Sequence, residues 1–173
     1  MKKIMLLLVL CWLLLPGIIV QAEESDRISP LDWEISVRPK LSMAEIEQER
    51  WSYVFTNDIG IYVFDHQSLS IDETDKTQVN VLTKTIFTDP KVIDKLNEVY
   101  KEKLNEGDEV ACSEMQMVFQ LKRKMYAVTE TRVFSARGLV LEDRKQLVRF
   151  TSVQPKTFAD SMYNIAQDYK RSN

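Results

Sequence analysis

The chain has 173 residues and a formal net charge of −3, from 23 basic and 26 acidic side chains. This length is enough for one hydrophobic core, whereas the acidic balance argues against nucleic acid or an anionic membrane surface as a partner. One histidine and two cysteines are too few for a tetrahedral zinc site, so we expect no metal or other cofactor.

The first 22 residues have the features of a secretory signal peptide. Lys2 and Lys3 precede an apolar stretch, and Ala22 ends a segment that a signal peptidase can cleave. Pro16 interrupts the apolar run before it reaches the roughly 20 residues of a membrane-spanning helix, so we expect cleavage and no stable membrane span. Loss of two lysines and no acid leaves 151 residues with a net charge of −5. We therefore expect an exported protein, located in the periplasm or at the cell surface.

Residues 23–49 are expected to form an N-terminal arm. The arm is polar, contains two prolines and shows no sustained hydrophobic period. Ser42 and Glu45 have the spacing of a capping box, which predicts a short helix from Met43 to Arg50. The rest of the chain, residues 50–173, is expected to form a single α+β domain.

Alternating apolar and polar residues predict antiparallel strands in the first half of this domain. Between 77 and 87, the odd-numbered residues from Val79 to Phe87 share one face, while Asn80 and Lys84 lie on the other. Such alternation is typical of a sheet that is buried on one face. The predicted strands here are Trp51 to Thr56, Ile61 to Asp65, Ser68 to Asp72 and Thr77 to Phe87.

The clearest predicted helix follows these strands. Asp89 is a suitable N-cap, Pro90 suits the first helical position, and apolar residues then recur every three or four positions. Gly107 is a stop signal. We expect this helix at about 89–105.

The second half of the domain begins with the clearest strand, Val110 to Lys122. Its odd-numbered residues, from Ala111 to Leu121, are expected to face the core. Further predicted elements are strands Met125 to Phe134, Leu139 to Glu142 and Gln146 to Thr151, and a helix at about 156–170. The predicted fold class is α+β: a meandering antiparallel sheet of about six to eight strands, covered by the two helices.

Several of these segments resemble a known family. Trp51 opens a strand, a turn follows at Asn57, and the segments YVFDHQSLSID, VNVLTKTIF and VFSARGLVL come later in the chain. Over residues 50–151 this layout is similar to the bacterial surface-adhesin protein E family. The resemblance implies an exported envelope or surface protein with a twisted antiparallel sheet, some of whose relatives adhere to host proteins. Members of that family tether the C-terminal helix with a disulfide, for which Cys112 has no partner here, so we expect this helix to dock by packing.

Two groups of residues are candidate sites. Met115, Met117, Phe119 and Met125 could line a groove for an apolar ligand, because methionine adapts its shape to varied partners. The alternative is that these residues pack in the core, as the strand alternation already requires a buried face. Cys112 is a candidate for an intermolecular disulfide.

Cys112 and His66 form the only combination of thiol and imidazole that a hydrolase could use after signal removal. Cys112 lies inside a regular strand, whereas activated thiols prefer helix N-termini or basic surroundings. We therefore expect an exported, non-enzymatic, adhesin-like binding protein of the envelope or cell surface with a protein or matrix partner. The alternatives are a periplasmic carrier of a small apolar ligand and a hydrolase using these two residues.

Overall fold

The computed structural model describes the chain from residue 43 to 173, with side chains from Glu47 onwards. The predicted signal peptide, most of the predicted arm and the side chains of the capping box lie outside the described part. In chain order the elements are α1 Met43–Arg50, β1 Trp51–Thr56, β2 Gly60–Asp65, β3 Ser70–Ile71, β4 Gln78–Phe87, α2 Pro90–Tyr100, β5 Val110–Gln120, β6 Met125–Ser135, β7 Val140–Lys145, β8 Thr151–Ser152 and α3 Phe158–Ser172.

All eight strands belong to one antiparallel sheet with the order β1-β2-β4-β5-β6-β7, in which β3 also pairs with β4 and β8 with β6. Apart from the short β3 and β8, each strand lies beside the strand that precedes it in the chain. This arrangement confirms the predicted α+β class and the meandering sheet with helices. The short helix α1 also has the predicted bounds.

Helix α3 packs on one end of the sheet and completes the larger core cluster. The Thr157 hydroxyl caps the helix by accepting the N–H of Asp160 at 3.2 Å. Tyr163 donates its hydroxyl to the carbonyl of Leu121 at 2.9 Å, and its ring lies edge-on to Phe119. This helix therefore docks by packing, as predicted. The buried members of the cluster are Val79, Val81, Met117, Phe119, Val153, Ala159, Met162, Tyr163 and Ala166.

Helix α2 packs on the other end of the sheet. The carboxylate of Asp89 accepts the N–H of Lys91 at 2.9 Å and caps the helix, as the sequence predicts. The helix ends at Tyr100, before the predicted end at 105, and the chain then turns through Gly107, which has a φ of +68°. The smaller core cluster beneath the helix consists of Val110, Val133 and Leu141, surrounded by Phe87, Leu96, Tyr100 and Leu104.

Both helices lie on the same face of the sheet. Val81 packs in the cluster under α3, and Phe87 packs in the cluster under α2. These residues are six positions apart in one strand, so their side chains point to the same side. We call this side the covered face and the opposite side, which carries Lys84 and Ile86, the open face.

Three details of the sheet differ from the sequence prediction. A bulge between Val110 and Cys112 brings the even-numbered Val110 onto the covered face, so the odd-numbered core face holds only beyond the bulge. Strand β5 ends at Gln120, and a 3₁₀ turn replaces its predicted last residues. The predicted strand from Gln146 to Thr151 is wrong, because residues 146–150 are irregular and only Thr151–Ser152 pairs, with the start of β6. Within residues 43–173, no helix is both long and apolar enough to cross a membrane.

Candidate functional site

An apolar row crosses five strands of the open face. The register pairs Ile61 with Ile86, Ile86 with Cys112, Cys112 with Phe134, and Phe134 with Val140. Ile86 is 38% exposed and Val140 is 50% exposed. None of the five belongs to either core cluster of the described residues. With strands about 4.8 Å apart, the row is roughly 19 Å long.

A charged row runs beside the apolar one. Lys84, Glu114, Arg132 and Asp143 are successive partners on β4, β5, β6 and β7, so the sign alternates from strand to strand. The Lys84 Nζ lies 3.1 Å from Glu114 Oε1, and Arg132 Nη2 lies 3.6 Å from Glu114 Oε2. Opposite charges on neighbouring strands stabilise the pairing. The open face therefore presents an apolar strip next to ordered charges of both signs.

Helix α1 borders this face above β1, β2 and β4. Trp51 donates its ring N–H to Glu47 Oε1 at 2.7 Å, and this hydrogen bond lowers the pKa of the Glu47 carboxyl. The Lys84 Nζ lies 3.3 Å from the same oxygen and 3.9 Å from the centre of the Trp51 ring. A groove of about 490 Å³ at the foot of the helix is lined by Glu47, Gln48, Trp51, Val63, Lys84 and Ile86.

A separate cavity of about 270 Å³ lies on the covered face, between the first turn of α3 and the sheet. Two of the four residues named for the predicted groove, Met115 and Met117, line it. Phe119 does not, because it is fully buried in the core cluster, and Met125 is also absent from the lining. The other lining residues are Tyr126, Val128, Thr151, Ser152, Gln154, Thr157, Phe158 and Ala159.

Tyr126 and Val128 were not predicted from the sequence as lining residues, because a bulge changes the side of the sheet to which β6 residues point. The register of β5 with β6 passes from Gln116 opposite Glu130 to Met117 opposite Val128, so Thr129 is the extra residue. Before the bulge the even-numbered residues of β6 face the cavity, and after it the odd-numbered ones face the core. No residue type in this stretch signals the bulge.

The structure does not bring Cys112 and His66 together. Ile61 lies in the same cross-strand row as Cys112, and His66 follows β2 five positions later. At about 3.3 Å per residue, the two side chains are roughly 16 Å apart along the sheet. Burial also raises the pKa of the Cys112 thiol, which is the opposite of activation. Within the described residues, no three side chains of metal-binding type come together.

The fold of this chain is similar to that of protein E of Haemophilus influenzae, as solved structures of that protein show. One structure of that protein is 14% identical, has a TM-score of 0.51, and the match covers 71% of this chain and 85% of protein E. A second crystal form is 13% identical, with a TM-score of 0.50 and coverage of 64% and 82%. No protein-family model and no curated protein matches the chain. The similarity at this level of identity establishes a shared fold, which confirms the layout that the sequence resemblance implies.

Proposed function

We propose that this chain is an exported, non-enzymatic binding protein of the cell envelope or cell surface, adhesin-like, whose open face binds a protein partner. The observation that carries the proposal is the apolar row across β2, β4, β5, β6 and β7, which neither α2 nor α3 covers. When a partner buries apolar side chains of an uncovered sheet, the free energy of the complex falls by about 25 cal/mol per Å² of apolar surface removed from water. Two of the five members of the row, Ile86 and Val140, are exposed, and the other three are half-buried. Exposed apolar side chains with a polar border are typical of an interaction surface.

The surroundings of the apolar row support a protein as the partner. Tyr53, on the edge strand β1, is 66% exposed, and Trp51 lies beside the groove at the foot of α1. Tyrosine, tryptophan and arginine are the residues that most often dominate the binding energy of protein interfaces. The alternating charges of the neighbouring row would fix the orientation of a partner.

Two further observations support the location and the class of protein. The first 22 residues have the form of a secretory signal peptide, and the fold is that of protein E of Haemophilus influenzae. The separation of Cys112 from His66 removes the thiol and imidazole pair that a hydrolase would use. A binding role is what the remaining features support.

The location is tested with intact producing cells, an impermeant amine label and protease shaving, against a known periplasmic control protein. Labelling of unbroken cells supports a surface adhesin. Protection until the outer envelope is opened would place the partner in the periplasm and refute display at the cell surface.

The binding face is tested with two matched variants. Val140→Glu puts a charge on the open face, whereas Val99→Glu puts the same charge on an exposed position of α2, which is 66% exposed. Binding to immobilised matrix and envelope proteins should weaken by about tenfold or more in Val140→Glu and stay unchanged in Val99→Glu. Equal binding by both variants would refute the open face as the binding surface.

The cavity under α3 favours a second candidate function, a periplasmic carrier of a small apolar ligand. Its volume is near the lower end of the range for ligand pockets. The neutral apolar probe N-phenyl-1-naphthylamine should bind saturably, and Met115→Trp should abolish binding by filling the cavity. Met125→Trp is the matched control, because Met125 is outside the lining. Absence of saturable binding to the folded wild-type protein would refute this function.

A further inference from the structure

We propose that the loop between β7 and β8 is a second interaction surface, which docks the chain on an anionic phospholipid bilayer. The loop comprises residues 146–150, and its exposed apolar residues Leu147 and Val148 lie among basic side chains. This inference goes beyond the proposed function, because it concerns another part of the molecule and does not depend on the open face.

The two apolar residues of the loop are in water. Leu147 is 82% exposed, more than any other large hydrophobic residue that the structure describes as exposed, and Val148 is 56% exposed. Neither residue belongs to a core cluster of the described part of the chain. Single exposed aliphatic residues are common on protein surfaces, whereas adjacent ones form a patch that a binding partner can cover.

The loop stands away from the sheet. Strand β7 pairs with residues 130–134 of β6, and β8 pairs with only the first two residues of β6. Between these two stretches, a cleft of about 210 Å³ separates the loop from Ala127 and Val128. The apolar side chains of the loop are therefore carried on a convex tip at the edge of the sheet.

Basic side chains border the loop on both sides. Residues 146–153 run antiparallel to β6, because the Gln146 N–H donates to the Thr129 carbonyl at 2.8 Å and the Val153 N–H donates to the Lys124 carbonyl at 3.0 Å. The loop therefore lies within about 16 Å of the turn between β5 and β6. Seven exposed cations lie in this region: Lys122, Arg123 and Lys124 in the turn, Arg144 and Lys145 before the loop, Arg149 within it and Lys156 after it.

Most of these cations have no acidic partner. Among the side chains that the structure describes, only Lys124 and Arg144 of the seven form an ion pair, with Asp160 and Glu142 respectively. The other five charges are available to an external anion.

The distribution of charge along the chain supports an anionic partner at this end. Residues 121–156 carry nine basic and three acidic side chains, a net charge of +6, whereas residues 43–120 carry seven basic and sixteen acidic ones, a net charge of −9. The net charge of the whole chain, from which we expected no anionic membrane partner, averages over these two parts. Such an asymmetry turns the basic end of a molecule towards a negative surface.

An apolar tip with a basic border matches a bilayer better than an acidic protein. At a bilayer with anionic headgroups, lysine and arginine side chains stay near the phosphates, while aliphatic side chains enter the boundary of the acyl region. A bilayer accepts a convex tip without a preformed pocket, whereas an acidic protein would need a complementary depression for Leu147 and Val148. The partner that fits this loop is therefore an anionic lipid surface.

The binding is tested by co-sedimentation of the processed chain, purified after export, with vesicles of phosphatidylcholine and phosphatidylglycerol in a three-to-one ratio. The wild type should bind these vesicles and should not bind vesicles of phosphatidylcholine alone, because the cations need anionic headgroups. Raising the salt from about 0.1 M to about 1 M shortens the screening length from about 10 Å to about 3 Å and should release most of the protein. Equal binding to both kinds of vesicle, or binding to neither, would overturn the inference.

Two pairs of variants assign the binding to the loop. Leu147→Gln should weaken binding to the mixed vesicles by about tenfold, and Arg149→Gln by about fivefold. The controls are Val99→Gln, which removes an apolar side chain that is 66% exposed on α2, and Lys95→Gln, which removes a cation from the same helix. Both controls should bind as the wild type does, and circular dichroism checks that all four variants are folded. If either loop variant bound as tightly as its control, the loop would not be the docking surface.

An acidic peptide distinguishes a bilayer from a protein partner. Immobilised poly-aspartate supplies negative charge without acyl chains, so Leu147→Gln should leave any binding to it unchanged. Binding to poly-aspartate that is as strong as binding to the vesicles, and that Leu147→Gln weakens equally, would indicate an acidic protein and overturn the inference.

This inference and the proposed function fail separately. A chain that binds matrix or envelope proteins through the open face but does not bind anionic vesicles would keep the proposed function and refute the docking loop. Vesicle binding that depends on Leu147, together with no binding to those proteins, would support the docking loop and refute the proposed function.

Discussion

Replacing Gly60 with alanine is expected to lower the free energy of unfolding by about 3 kcal/mol. A Cβ at this position would lie 2.0 Å from the carbonyl oxygen and 2.9 Å from the carbonyl carbon of Ile86. An ordinary contact between carbon and oxygen needs roughly 3.3 Å, and both obstructing atoms belong to the backbone, so no side-chain rotation relieves the clash. Strand β2 must therefore move away from β4 by about 1 Å or more.

That displacement disturbs the end of β2 that carries Ile61 into the apolar row. It also disturbs the turn, in which the Asn57 N–H donates to the Gly60 carbonyl at 3.0 Å and the Asn57 side chain accepts the Gly60 N–H at 3.2 Å. Loss of two to three hydrogen bonds at about 1 kcal/mol each gives the expected magnitude.

Urea unfolding followed by circular dichroism measures this change in free energy. Gly138→Ala is the control, because Gly138 has a φ of +80° and no atom within 4 Å of the added Cβ. Its cost is the left-handed backbone conformation alone, about 1 to 2 kcal/mol. If Gly60→Ala were no more destabilising than Gly138→Ala, the close approach of β2 and β4 would be refuted.

Three further changes test other contacts of the fold. Arg50→Ala should lower the free energy of unfolding by about 2 kcal/mol, because it leaves the buried carboxylate of Asp65 without the guanidinium 2.5 Å away. A decrease in the free energy of unfolding below about 0.5 kcal/mol, measured by urea unfolding, would contradict this. Burial and a hydrogen bond to Glu142 raise the pKa of Tyr100 to about 12. The protonated Tyr100 hydroxyl therefore stabilises the folded state fully below about pH 10, and this stabilisation disappears between about pH 10 and 12. Tyr100→Phe should remove this part of the pH dependence, and an unchanged profile of the urea midpoint against pH would exclude the hydrogen bond. Thr157→Ala should lower the free energy of unfolding by about 1 kcal/mol, because it removes the N-cap of α3. Urea unfolding measures this change, and an unchanged urea midpoint would argue against the cap.

The elements could be predicted where a single local signal decides the structure. Asp89 and Pro90 mark the start of α2 because their roles depend only on the next few residues. The alternation from Val79 to Phe87 predicts a one-sided strand, and the structure has β4 there with Val79, Val81, Thr83 and Thr85 buried on the covered face. Leu82, which points to the open face, is buried as well. The export of the chain and its location in the periplasm or at the cell surface stay predictions.

The parts that could not be predicted depend on contacts between distant segments. The bulges at Ala111 and Thr129 shift which residues face the core, and they arise from the pairing of β5 with β6 rather than from either strand alone. Met115 and Met117 line the cavity under α3, whereas Phe119 is buried in the core and Met125 lies outside the lining. Binding of an apolar ligand in this cavity stays a prediction. The apolar row was also invisible in the sequence, because its five members come from five separate strands.

Helix α3 follows every strand of the sheet in the chain, which has a consequence for the order in which the core forms. Ala159, Met162, Tyr163 and Ala166 all come from this helix and supply four of the nine buried members of the larger core cluster. While these residues are still inside the ribosomal exit tunnel, the chain lacks this part of the cluster even when every strand has been made. The sheet would then expose Val81 and Phe119 to solvent until α3 leaves the tunnel. The last step of core packing is therefore expected only after α3 has been made.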